Sequence, residues 1–394
     1  MTRFLVVSDS FKGSLSSALA GRAIAAGIRM AAENAAVHVF PAADGGEGTA
    51  EALDAALGGK SHHYTVSDPF GFPVRAPYSD LGLRDGLRTA VFDMASCAGL
   101  GLARLHGMDP LVASTYGVGE MLIALCRAGF HRIYIGLGGS GTNDGGAGAL
   151  SAMGARFTAD DGTVIGGPIG GGMLSRIADV DLAPVHALLS GVEVCLLYDV
   201  ALPLYGEKGA SRMFAPQKGA NSAAVESLEY GIRHFAKILC ARYPQVDPQT
   251  DGCGAAGGLG FGLYTVGGVP MVGADTVLRV IGYPDMLRED CTLVFTGEGR
   301  TDLQTIHGKL PSVVARYAHT AGIPCVDLCG SAAVLPDRAL YDCGMTAIFP
   351  ILQEPLSLAE SMAITAEELT KTAYNVTRLW LARHDTTKYA KTRP

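Results

Sequence analysis

The chain has 394 residues, of which 48% are apolar, 18% charged and 52 are glycine, and its formal net charge is −7. That length exceeds one compact core, so about two domains are expected. An acidic chain with no basic stripe gives no footing for nucleic acid, and no run approaches the roughly 18 uncharged apolar residues that a membrane span needs.

Glycine stands at roughly twice its ~7% average use. It gathers in short clusters without a repeat, which excludes collagen-like and low-complexity readings and suits backbone that approaches a ligand closely. Nine cysteines include no Cys-x-x-Cys pair, and the apolar run from Met1 to Ser8 is too short for a signal peptide. The expectation is a cytoplasmic protein with reduced thiols.

Phe4 to Val7 is a continuous apolar run of buried-strand type, followed by the polar loop Ser8 to Ser14. Leu15, Leu19, Ile24 and Ile28 then recur at helical spacing, and Val37 to Phe40 is a second strand. From Tyr64 to Met94 short strand-like runs alternate with turn signals such as Asp68-Pro69 and Arg84-Asp85-Gly86, as in antiparallel structure. His131 to Ile135 and Val192 to Leu197 are further strands, each followed by a polar segment. Thr292 to Phe295, Cys325 to Leu328 and Ala347 to Ile351 are strands of the last third. A closing helix over about Leu358 to Leu381 carries Met362, Ala366, Leu369, Ala373 and Val376 on one face. Alternating strands and helices predict an α/β fold: a doubly wound, mostly parallel sheet domain of residues 1–58 plus 289–394, interrupted by an inserted mixed α/β domain of residues 59–288. An interdomain cleft is the expected place for the active site.

Chemistry-bearing segments follow the predicted strands, where ligands sit in open α/β sheets. The richest is Gly136-Leu137-Gly138-Gly139-Ser140-Gly141-Thr142-Asn143-Asp144-Gly145-Gly146. Its backbone N–H groups can turn toward one anion, and a helix N-terminus follows. Gly138, Gly139, Ser140, Gly141, Thr142 and Gly145 are therefore candidates for holding nucleotide phosphates, and Asp144 for the accompanying magnesium. The bland alternative is a tight structural turn. Gly136, Gly138 and Gly141 also spell a dinucleotide fingerprint, but Asp144 close behind would repel a pyrophosphate. No Walker A sequence is present, Asp54 standing where Ala56-Leu57-Gly58-Gly59-Lys60-Ser61 would need its first glycine. Gly254, Gly257 and Gly258 form a small-residue loop that either packs on the nucleotide or allows close helix packing.

Gly297 to Thr305 reads as a loop with two carboxylates and a guanidinium. Arg300 can clamp a carboxylate or phosphate, Glu298 can serve a metal, and Asp302, Gln304 and Thr305 lie beside them. Ser10, Lys12 and Asp44 stand at the strand ends of the first segment. Asp199, after the strand Val192 to Leu197, can accept a hydroxyl proton. The histidines show no metal-ligand spacing.

Taken in order, Ser8 to Lys12, Ala43 to Thr49, Ser114 to Gly117, Gly138 to Gly148, Pro216 to Ala220, Gly254 to Gly260 and Gly297 to Lys309 resemble the bacterial glycerate kinase family over most of the chain. The resemblance implies a two-domain α/β enzyme that uses ATP and Mg2+ to phosphorylate D-glycerate, with 2-phosphoglycerate as the commoner product. It does not say which carboxylate is the base, so Asp199 and Asp302 both stand as catalytic candidates, with Lys12 and Arg300 neutralising charge. Ser10, Lys12, Asp44, Arg300, Gln304 and Thr305 are the candidates for binding substrate. The family usually has alanine at Gly141, glycine at Leu303, and asparagine within Val200-Ala201-Leu202-Pro203-Leu204. The last departure raises a kinase of another small hydroxy or aldonic acid as the main alternative. A nicotinamide-dependent dehydrogenase and a silent sugar-acid sensor are the others, and the oligomeric state is open, a homodimer included.

Overall fold

A computed structural model describes residues 2–199, 202–267, 271–287, 291–333 and 338–384. The chain divides into two compact units, Met1–Asp44 with Ala274–Pro394, and Gly45–Gly273.

The first unit is built on a five-stranded, wholly parallel sheet in the order Ala347–Pro350, Cys325–Ala332, Cys291–Thr301, Arg3–Ser8, Ala36–Val39. Phe4, Leu5, Val6 and Val7 are all buried, as a strand covered on both faces requires. Phe4 and Val6 share a core with Ile24 and Ile28 of the helix Ser17–Ala31, with Phe295 and Leu328, and with Leu369 and Ala373 of the helix Leu358–His384. The face expected for that last helix holds at Leu369, Ala373 and Val376, whereas Ala366 is exposed and Thr365 and Glu368 are buried instead. Strand Arg3–Ser8 leads to a neighbour on one side and pairs with Cys291–Thr301 on the other. Such a reversal of strand order opens a crevice at the carboxyl ends, and Asp9 follows directly there.

One expectation is corrected in this sheet. Gly297 to Thr301 is not a loop but the continuation of the strand, because Cys325–Ala332 runs on beside it and pairs Glu298 with Cys329, Arg300 with Ser331 and Thr301 with Ala332.

The second unit holds a six-stranded sheet in the order Met271–Val272, Glu193–Leu197, Arg132–Gly136, Leu87–Asp93, Pro73–Arg84, Lys60–Ser67. The first four run parallel, and the last three form the expected antiparallel meander. Helix Ser222–Arg242, capped by Asn221 Oδ1 accepting from Ala224 N, buries Ile232 and Phe235 in the core of this unit. A small antiparallel sheet of Val164–Ile165, Arg156–Thr158 and Asp179–Asp181 completes it.

The divisions fall near 44 and 273 rather than at 58 and 288. Gly48 and Ala50, at the start of helix Thr49–Leu57, donate their N–H groups to Asp93 of the second sheet. At the other end, Tyr283 Oη donates to Val314 O and Tyr317 Oη to Asp275, tying 274–287 to helix Leu310–Thr320 of the first unit. All nine cysteines are free thiols, and among the described residues no helix is long and apolar enough to cross a membrane.

Gly27 sets the spacing of the two long helices of the first unit. A Cβ there would lie 2.2 Å from Thr370 O and 3.0 Å from Ala373 Cβ. Alanine gains up to about 1 kcal/mol of helix propensity, but overpacking against backbone costs about 1–3 kcal/mol, so the clash wins. Gly27→Ala is expected to lower the urea midpoint, and an unchanged or higher midpoint would show that the helices can part freely.

Candidate active site

In the first unit the carboxyl ends of the parallel strands gather acids. Asp9 follows strand Arg3–Ser8, Glu298 lies within Cys291–Thr301, and Asp44 ends the segment after Ala36–Val39; all three are buried. Burial pushes the Asp9 carboxyl well above its usual range, and Asp44 and Glu298 push it further, while Ser10 N–H and Lys12 oppose them. Glu298 is raised by burial and partly restored by Thr305 and Lys309. Its Oε1 accepts from Thr305 Oγ1 at 2.6 Å and Thr301 Oγ1 at 3.3 Å, and its Oε2 lies 3.4 Å from Lys309 Nζ. Thr301 Oγ1 also lies 2.7 Å from Oδ2 of Asp327, a fully buried acid on the next strand.

The other candidates of this region divide by exposure. Lys12 and Gln304 are exposed and Ser10 is half-buried with its N–H on Asp9. Arg300 is two-thirds exposed, with Nε 3.4 Å from Asp302 Oδ2. Asp302 Oδ1 accepts from Gln304 N, so both of its oxygens are engaged in shaping its own turn. Thr305 is buried and spends its hydroxyl on Glu298, which makes it a support rather than a group that meets ligand.

In the second unit, register places Asp93, Gly136 and Leu197 side by side at the carboxyl ends of three parallel strands. Leu137 N donates to Gly45 O and Leu197 O, which brings the 45–48 loop, the glycine-rich loop and the strand leading to half-buried Asp199 to one edge. The glycine-rich loop is packed for internal reasons. A Cβ on Gly138 would lie 2.3 Å from Glu47 N, one on Gly257 2.1 Å from Thr142 O, and one on Gly258 2.8 Å from Gly145 Cα. Of the nine residues expected to cradle nucleotide, Gly141, Thr142, Gly145, Gly254, Gly257 and Gly258 are buried within the protein. Only Gly138, Gly139 and Ser140 reach solvent.

Asp144 is corrected likewise. It is fully buried, with Oδ2 accepting from Thr115 N, Thr115 Oγ1 and Gly148 N, and Oδ1 from Gly146 N. It anchors the loop and is not presented to a metal. The dinucleotide fingerprint fails on context, since its last glycine, Gly141, is followed by five further residues before the short helix Ala147–Ala152. That sets aside the dehydrogenase reading.

Lys218 and Asp93 carry no expectation from the sequence. Lys218, inside the segment Pro216 to Ala220, is buried behind the accessible part of the loop, donating from Nζ to Ser140 Oγ and Thr142 O. Asp93 accepts the N–H groups of Gly48 and Ala50, and burial lifts it to about 7. Asp93 also lines a cavity of about 420 Å3 with Glu47, Glu51 and Asp54. Like charge makes that cavity unfit for polyphosphate. Val200 and Ala201 lie outside the described residues, while the Leu202 side chain is buried and its carbonyl accepts from Gly254 N.

Among the described residues no group of three or more His, Cys, Asp or Glu is arranged to hold a metal ion. The crowded carboxylates Asp9, Asp44 and Glu298 do suit a hard cation brought in by phosphates, which asks the protein for only one or two oxygen ligands.

The glycerate kinase family model matches residues 4–381. The chain belongs to the glycerate kinase family. It is 38% identical to the glycerate kinase of Bacillus subtilis (strain 168) over 95% of this chain and 96% of that one. It is 36% identical to the glycerate 2-kinase of Escherichia coli K12 over 95% of this chain and 97% of that one. A crystal structure from Salmonella typhimurium LT2, described as a candidate glycerate kinase 2, superposes with a TM-score of 0.83 at 34% identity, covering 98% of this chain and 99% of that one. The groups that reach solvent are Lys12 and Arg300 in one unit and Gly138–Ser140 and Asp199 in the other, while Asp9, Asp44 and Glu298 in the first and Lys218 in the second are buried beside them.

Asp327 supplies a stability test. Burial lifts its carboxyl to about 7 against the Thr301 hydrogen bond that lowers it, and Oδ1 has no partner. The folded state thus holds a proton that the unfolded chain gives up near pH 4, so stability falls as pH rises from about 4 to about 7. The loss is on the order of 4 kcal/mol at most. Asp327→Asn keeps an acceptor for Thr301 and removes that loss. It is expected to raise the urea midpoint at pH 8 and leave it near wild type at pH 5; an equal effect at both values would disprove the buried proton.

Proposed function

We propose that this protein is an ATP- and magnesium-dependent kinase that transfers the γ-phosphoryl group to D-glycerate, giving 2-phosphoglycerate, and that it works in the cytoplasm. The observation that carries the reading is the match to glycerate kinases across nearly the whole chain, the E. coli glycerate 2-kinase among them. The division of exposed and buried groups supports a matching division of labour.

Phosphoryl transfer asks little covalent chemistry of a protein, chiefly positioning and charge neutralisation. Gly138, Gly139 and Ser140 offer the accessible backbone and hydroxyl donors of the glycine-rich loop to the nucleotide's phosphates. Arg300 and Lys12, both exposed, can pair with the glycerate carboxylate, Arg300 in bidentate fashion, with Ser10 and Gln304 as further polar contacts. Bound with the nucleotide, magnesium would supply charge neutralisation of the phosphates, and Asp44 and Glu298 are the residues that would hold it. Asp199 is the base that takes the hydroxyl proton, because it stands on the sheet edge that carries Gly138–Ser140. Asp302, whose oxygens serve Gln304 N and Arg300, shapes the turn that follows the strand carrying Arg300. Leu202, buried rather than presented to ligand, supports unchanged D-glycerate specificity.

Purified protein with Mg-ATP is expected to release ADP with D-glycerate and not with L-glycerate, tartronate or C4 aldonic acids. Turnover with one of those acids alone would keep a kinase and move its substrate, and binding without turnover would favour the sensor. A missing general base costs typically 10²–10⁴-fold, so Asp199→Asn is expected to cut kcat by at least a hundredfold and Asp302→Asn by less than tenfold. The reverse order would transfer the base to Asp302.

A further inference from the structure

Lys218 closes the short turn Pro216–Lys218 and is 2% exposed. Its ammonium has left water without meeting a carboxylate. The two partners of Nζ, Ser140 Oγ at 2.8 Å and Thr142 O at 2.7 Å, are both neutral. An ammonium has three donors, so one remains after these two bonds. Burial drives the lysine down to about 7, and Asp144 alone pulls it back. Among the described residues no further charge is seen to act on it. Arg212, on the adjoining helix Ala210–Phe214, pairs with Glu226 and Glu207. Asp109, beside the Met108 carbonyl on which Gly219 packs, caps Leu111 N.

A buried cation with neutral partners is a standing cost, and an apolar side chain of similar length would fill the same space. What gives the charge a use is its place. Ser140 and Gly138 are half-buried and Gly139 between them is exposed, so an anion on that face lies one hydroxyl away from Nζ. We propose that Lys218 is a positioning residue for the nucleotide's phosphates: it fixes Ser140 and Thr142 from behind, and it takes a proton from solvent when polyphosphate settles on Gly138–Ser140. The inference rests on the kinase reading above and adds a residue and a linkage to it.

Because the bound state holds the extra proton, affinity for nucleotide is full below about pH 7. It falls as pH rises through that value, by up to about tenfold per pH unit until the bound lysine also titrates. A purely structural lysine would hold the loop equally well at any pH and would exchange no proton.

Titration calorimetry of the whole enzyme with Mg-ATP and no acceptor, at pH 7.5 in buffers of different ionisation enthalpy, reads the proton directly. Wild type is expected to take up a substantial fraction of one proton, with Kd weakening about tenfold between pH 7 and 8.5. Adenosine, which lacks phosphates, should bring no uptake. Lys218→Met should bind ATP weakly, without uptake and without the pH slope. Lys218→Arg, always charged, should bind with no slope. Ser140→Ala should weaken binding yet keep the slope. ATP binding by wild type with no proton uptake would overturn the proposal even if neither Lys218 variant folded, and so would uptake that persists in Lys218→Met. Wild type that binds no ATP at all would take the kinase reading down first and this one with it, a result distinct from binding without a proton.

Discussion

A carboxylate sealed from water must find donors, and the four that Asp144 finds come from two parts of the chain. Thr115 supplies its N–H and hydroxyl from the turn before helix Tyr116–Arg127, while Gly146 and Gly148 supply theirs from the start of the helix after the glycine-rich loop. Even so, burial leaves the acid above its usual range, so losing any donor would expose an uncompensated penalty. The loop is held accordingly. Gly145 N donates to Gly257 O, Gly141 N to Ala98 O, and Asn143 Nδ2 to Ser211 Oγ. Where such a loop meets solvent, at Gly138 to Ser140, it does so on a frame that a ligand need not reorganise. Preorganisation of this kind is what makes fixed donors effective against developing charge.

The first unit handles charge in the opposite way. Instead of surrounding one acid with donors, the parallel sheet delivers three buried acids, Asp9, Asp44 and Glu298, to its carboxyl ends. Asp9 is raised by its burial first and then by the other two. Repulsion of this sort is relieved by a cation or a proton, and it persists only because the strands that carry it are locked on both faces by apolar packing. Asp327 stands on the adjacent strand, joined to Glu298 through Thr301.

The fold class was legible because apolar runs such as Phe4 to Val7 report burial on both faces, a property local to the strand. The meander from 60 to 93 was legible for a similar reason, its turns being written in Asp-Pro and Asp-Gly pairs. Gly297 to Thr301 was not, because its strand conformation depends on Cys329, Ser331 and Ala332 lying alongside. Short-range pattern carries no trace of a partner some thirty residues away. Ala366 misled in the same manner: helical spacing names a face, but the neighbour decides how wide that face is.

The glycines show most clearly where sequence reasoning about a site runs out. A glycine can be required by a ligand or by another loop, and the residue is silent on which. Here the second cause accounts for most of the cluster, since the missing Cβ atoms of Gly138, Gly257 and Gly258 are replaced by backbone of the 45–48, 142–143 and 145 positions. Lysine misleads in the other direction. Read alone it is a surface residue, and Lys218 becomes notable only when its burial and its neutral partners are known. The two errors share a cause. Both residues take their meaning from what surrounds them, and a tightly packed glycine-rich loop is the setting in which a lysine can be hidden one hydroxyl away from solvent.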